Sequence, residues 1–162
     1  MNEFQPLLKA LAESGVEFIL IGGVAGTAYG SARVTFDLDV VYSRTPDNLK
    51  RVVKAFESIA PYLRGAPPGL PFHWDEPTIK RGLNFTLDTD LGPVDLLGEI
   101  IAGGTYEELL PHSRAVTVFG GDCQCIKLSK LIEVKKAVGR PKDLEAIAEL
   151  EAIQEERSEG DD

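Results

Sequence analysis

The feature that most constrains this chain is a pair of acids inside an apolar run. Residues 34–42 read Val-Thr-Phe-Asp-Leu-Asp-Val-Val-Tyr, a β-branched and aromatic composition that predicts a strand. Side chains alternate along a strand, so Asp37 and Asp39 share one face of it. Two carboxylates held together among apolar neighbours repel each other and lose hydration, and a cation between them relieves both costs. Oxygen ligands of this kind suit magnesium. The competing reading is an ordinary solvated strand face, and the flanking Phe36, Leu38, Val40 and Val41 count against it.

Residues 16–21 form a second short apolar run, read as a buried strand, and it leads directly into Gly22-Gly23. A short helix follows over 24–29. Glycines at such a turn let backbone amides approach a triphosphate closely, although a plain tight turn would use them as well. The pattern lacks the lysine and hydroxyl of a P-loop and the spaced glycines of a dinucleotide fingerprint. A third acid, Asp95, stands alone in Gly-Pro-Val-Asp-Leu-Leu, another apolar strand. If that strand neighbours the one bearing Asp37 and Asp39, three carboxylates converge and two metal ions can be clamped. Asp88-Thr89-Asp90 is a rival acidic pair, read as turn chemistry bonding local backbone.

The rest of the chain supplies a frame for these residues. Leu7, Leu8, Leu11 and Ala12 predict an opening helix ended at Ser14-Gly15. Thr45-Pro46 starts a second helix, with Leu49, Val52, Val53, Phe56 and Ile59 on one face. Residues 61–77 carry five prolines and no period, which predicts a long loop. Strands are expected over 81–88 and 93–97, joined by a turn at 90–92, and over 115–119 and 122–126, joined at Gly120-Gly121. Thr105 to Glu108 has the capping-box pattern, which suffices to explain Gly103-Gly104 before it. Helices close the chain, one over 127–138 and another after Gly139 and Pro141 bearing Leu144, Ile147 and Leu150. The expected fold class is α/β (α+β), a mixed sheet flanked by helices with a helical C-terminal segment. Its expected organisation is a core over 1–126, helices over 127–154 packed on it, and an acidic, disordered tail over 155–162.

With 162 residues, one domain with small appendages is the default. A net charge of -9 disfavours nonspecific duplex binding, so any nucleic-acid contact must be local. The basic stretch with Lys127, Lys130, Lys135, Lys136, Arg140 and Lys142 offers one such locality. No apolar run is long enough to cross a bilayer, and the first residues lack a signal-peptide pattern, so no membrane partner and a cytoplasmic location are expected. Cys123 and Cys125 lie one residue apart and read as packed thiols. With only His73 and His112 available as histidines, a zinc site is not expected.

Gly22-Gly23 after an apolar strand, Asp37 and Asp39 preceded by Arg33 and Thr35, and the later Asp95 together resemble the DNA polymerase beta nucleotidyltransferase superfamily in its minimal bacterial and archaeal form. Lys130-Leu131 and the run 139–144 are similar to the helical end of nucleotidyltransferase toxins from abortive-infection systems, where a lysine and an aspartate assist the site. Two departures stand out: Gly23 occupies a position where the family often has serine, and the chain lacks the large extra domain with which many relatives hold their acceptor.

The resemblance implies magnesium-dependent transfer of a nucleoside monophosphate from a nucleoside triphosphate to an acceptor hydroxyl. Two magnesium ions are implied, with manganese as a substitute, and Asp37, Asp39 and Asp95 as ligands and catalytic acids. Gly22, Gly23, Arg33, Thr35 and Lys130 would bind the nucleotide. The implied acceptor is RNA or protein, and a cognate toxin or antitoxin partner is expected. Trp74 could stack a base or anchor its loop, and Asp143 reads first as helix-start design. The alternative reading is a noncatalytic nucleotide- or partner-binding module of the same fold, antitoxin-like. A third is an RNA-binding protein using the lysine-rich stretch.

Overall fold

The structure is a computed structural model, and residues 4–157 are described. In chain order the main elements are α1 (Gln5–Glu13), β1 (Phe18–Ile21), α2 (Gly22–Ala28), β2 (Leu38–Tyr42), α3 (Pro46–Phe56), β3 (Tyr62–Leu63) and α4 (Glu76–Arg81). There follow β4 (Phe85–Thr89), β5 (Gly92–Leu97), β6 (Glu99–Ile100), β7 (Gly104–Thr105), α5 (Tyr106–Leu109), β8 (Ser113–Val118), β9 (Gly121–Ile126), α6 (Leu128–Val138) and α7 (Leu144–Glu156). Seven strands form one mixed sheet in the order β3-β4-β5-β2-β1-β9-β8. Strands β2 and β5 run parallel, as do β1 and β9, while the remaining neighbours are antiparallel. This is the mixed α/β architecture, with helical C-terminal segment, that the alternation of patterns predicts.

The central strands β1 and β2 are buried on both faces because helices cover them, which explains near-continuous apolar runs in place of alternation. Leu7, Leu8 and Leu11 of α1 and Leu49, Val52 and Phe56 of α3 join one core with Leu128, Leu131, Ile132 and Leu150 from the C-terminal helices. Thr45 caps α3, accepting from the Asn48 amide, with Pro46 at the first helical position. A cap of this kind stabilises by about 1 kcal/mol. The capping box at Thr105 and Glu108 forms as expected. Trp74 is an anchor: its indole N–H donates to the Val53 carbonyl at 2.9 Å, and its ring meets Phe56 and Phe72.

Several boundaries differ from the sequence expectation for identifiable reasons. Strand β2 starts at Leu38, not at residue 34. Its antiparallel pairing with β1 ends at Ile21↔Asp39, because the chain turns into α2 at Gly22, and its parallel pairing with β5 begins at Leu38↔Val94. Val34 and Phe36 are accordingly exposed, at 78% and 77%. The proline-rich loop contains β3, an edge strand paired with β4, and α4 begins at Glu76 inside its expected limit. The β8–β9 turn is Phe119-Gly120, both at positive φ, one residue earlier than predicted. Helix α7 reaches Glu156, so residues 155 and 156 are helical and not part of a disordered tail; residues 158–162 of that tail lie outside the described residues. No helix among the described residues is long and apolar enough to cross a membrane.

Candidate active site

The sheet brings the three strand acids together. Strands β2 and β5 are neighbours, and their register sets Asp39 directly beside Asp95, while Asp37 lies just before β2. On the other side, Ile21 pairs with Asp39, so Gly22 follows immediately next to that carboxylate. Gly22 has φ +69°, and a Cβ there would collide with Asp39 Oδ2. Both facts require glycine. At Gly23 a Cβ would stand 2.6 Å from Thr35 Oγ1. The Thr35 hydroxyl therefore occupies the space that a side chain at position 23 would take.

Asp39 Oδ1 and Asp95 Oδ1 are buried without an aligned hydrogen-bond donor. Burial first, and then the facing Asp95, push the Asp39 carboxyl up to about 8, with Asp37 adding to the effect and Lys135 opposing it. Such a site holds either a proton or a cation. Among the described residues no group of three or more His, Cys, Asp or Glu side chains forms a ready metal cage. Arg64, just after β3, stands among the acids. Its Nη2 is 3.0 Å from Asp95 Oδ1, its Nη1 is 3.6 Å from Asp37 Oδ2, and its Nε donates to Asp88 Oδ1 at 3.2 Å. The orphaned oxygens and the all-oxygen donor set fit magnesium at Asp39 and Asp37.

A cleft of about 330 Å³ opens beside these acids, lined by Gly22, Gly23, Thr35, Asp37 and Asp39 on the sheet side. Arg33, Lys135, Arg140 and Lys142 supply positive charge to it. Helix α7 holds the loop that carries Arg33 and Thr35. Glu149 accepts from Ser31 Oγ at 2.6 Å and from the Ala32 amide at 2.9 Å, and Glu145 pairs with Arg33 at 3.4 Å. Asp143 is buried and makes no cap bond; Arg140 donates to it through Nε at 2.8 Å.

Of the expected site residues, the fold unites Gly22, Gly23, Arg33, Thr35, Asp37, Asp39 and Asp95. Lys130 is not among the residues lining this cleft, and its Nζ pairs with Glu133 at 2.8 Å. Lys135, Arg140 and Lys142 of the same basic stretch line the cleft instead, and Arg64 had no local signal at all. Asp88 engages Arg64 and not its own turn, where the Thr89 hydroxyl makes the local bonds. The cysteines are packed thiols, burial pushing Cys123 up to about 11 and Cys125 up to about 12. A scan against protein-family models finds no match, and no curated protein is significantly similar to the chain.

Proposed function

We propose that the chain is a magnesium-dependent nucleotidyltransferase, moving a nucleoside monophosphate from a nucleoside triphosphate to an acceptor hydroxyl. The observation that carries this reading is the in-register pair Asp39 and Asp95, with Asp39 Oδ1 buried and unpaired, beside Asp37 and a cationic cleft. Asp37 and Asp39 would hold the ion, which when bound supplies Lewis-acid polarisation of the phosphate. The amides of Gly22 and Gly23 and the hydroxyl of Thr35 bind and orient the phosphates. The Asp95 carboxylate orients the acceptor hydroxyl and takes its proton as the oxygen bonds to the α-phosphorus. The bond from that phosphorus to the bridging oxygen breaks, and pyrophosphate leaves with its charge met by Arg33, Lys135 and Lys142. Exposed Val34 and Phe36 on the cleft wall offer the base an apolar stacking surface.

RNA or protein is the acceptor class, a cytoplasmic toxin–antitoxin setting is the biological context proposed, and no membrane is involved. The test is incubation with each α-labelled nucleoside triphosphate, magnesium or manganese, and cell extract. Label should pass to a macromolecule with wild-type protein and fall at least a hundredfold with Asp37→Ala. Nucleotide binding without any transfer would sink the enzyme reading in favour of a noncatalytic binding module.

A further inference from the structure

The carboxylate site contains a cation of its own, and the way it is held decides what else can bind. Arg64 is not a surface side chain leaning on nearby acids. Its backbone amide donates to the Thr86 carbonyl at 2.9 Å, fixing the residue to the edge of β4. Its Nη2 donates to the Leu87 carbonyl at 2.8 Å and lies 3.4 Å from the Val94 carbonyl, so two neighbouring strands grip the guanidinium. Asp88 holds Nε from the outer side. The same Nη2 lies 3.0 Å from Asp95 Oδ1, and Nη1 is turned to Asp37 Oδ2 at 3.6 Å. A planar fork gripped from behind by carbonyls and presented to two carboxylates is preorganised, and leaving would strand both carbonyls and both acids.

We propose that Arg64 is a permanent cation of this centre, standing where a second divalent ion would bridge Asp37 and Asp95, so that the site takes one divalent ion and not two. The inference rests on reading the three acids as a metal centre. Once a divalent ion replaces the Asp39 proton, Asp37, Asp39, Asp88 and Asp95 carry four negative charges, and Arg64, which contacts three of them, returns one positive charge. A single divalent ion on Asp39 and Asp37 then leaves one negative charge, which Lys135, acting on Asp39, offsets. A second between Asp37 and Asp95 would have to enter the space that the guanidinium already fills. Arg64 acts through Asp95 and Asp37: it is a positioning residue that holds both carboxylates about its guanidinium without a metal.

The test is titration of the nucleotide-free full chain with manganese alone, followed by electron paramagnetic resonance of the free ion. The expected result is one ion per wild-type chain, two in Arg64→Gln, and one in Arg64→Lys, which keeps the charge. Arg64→Met serves as the neutral variant if circular dichroism shows Arg64→Gln unfolded. Two ions in the wild type, or one in a folded neutral variant, would overturn the proposal while leaving the metal-centre reading intact. No ion in either protein would overturn both.

Discussion

At Asp39 a proton and a cation compete for the same oxygens. The ordinary carboxyl value of 3.8 applies to the unfolded chain, and burial beside Asp95 raises the folded value to about 8. Between these values the folded protein binds a proton that the unfolded chain has released, so stability falls as pH rises through the window. The loss is complete above about 8. Metal-free wild type should therefore melt lower at pH 8.5 than at pH 5. Asp39→Asn should flatten that decline, and magnesium should raise the wild-type midpoint at pH 8.5 but not the variant's; calorimetric melting across pH checks all three. The acids themselves were legible because a lone carboxylate in an apolar strand is a local anomaly. Arg64 was not legible: its partners Asp37, Asp88 and Asp95 are distant in sequence, and an arginine in a proline-rich stretch looks like any surface cation.

Helix phase decides which cations of α6 reach the cleft. Lys130 and Lys135 are five positions apart, which at about 100° per residue turns them roughly 140° from one another. Their common charge in sequence therefore conceals opposite uses: Lys130 pairs along its own helix with Glu133, while Lys135 lines the cleft and acts on Asp39. The sequence shows that a helix is present and amphipathic, but which basic face meets the sheet depends on how Leu128, Leu131 and Ile132 seat in the core. The start of β2 escaped prediction for a similar reason, since it is set by where pairing with β1 and β5 begins, not by where its own residues change. A phosphate contact from lysine is worth about 1.5–3 kcal/mol. Lys135→Met should thus weaken binding of a fluorescent nucleoside triphosphate at least tenfold, and Lys130→Met should leave it within about twofold, both read by anisotropy.

Over the whole molecule, positive charge is gathered at one cleft of an acidic chain, and under the proposed function that arrangement favours a small polyanion over a long one. The chain carries a net charge of -9, yet Arg33, Lys135, Arg140 and Lys142 converge on one cleft. Arg33 and Arg140 are partly offset by Glu145 and Asp143, which fixes their directions, whereas Lys135 and Lys142 form no ion pair among the described residues. The cleft, at about 330 Å³, lies at the lower end of the range of about 300–1,000 Å³ typical of small-molecule sites. A triphosphate entering it meets the local positive field at contact distance. A duplex would instead lay most of its phosphates against an acidic surface, beyond the roughly 8 Å over which the cleft's field survives at physiological salt. Labelled nucleoside triphosphate should therefore bind at physiological ionic strength where a labelled duplex of twenty or so base pairs gives no anisotropy change. Lowering the salt should tighten nucleotide binding modestly. Duplex binding with a steep salt dependence would show instead that the basic stretch is a nucleic-acid surface, and that the acids of the sheet are not what the molecule is built around.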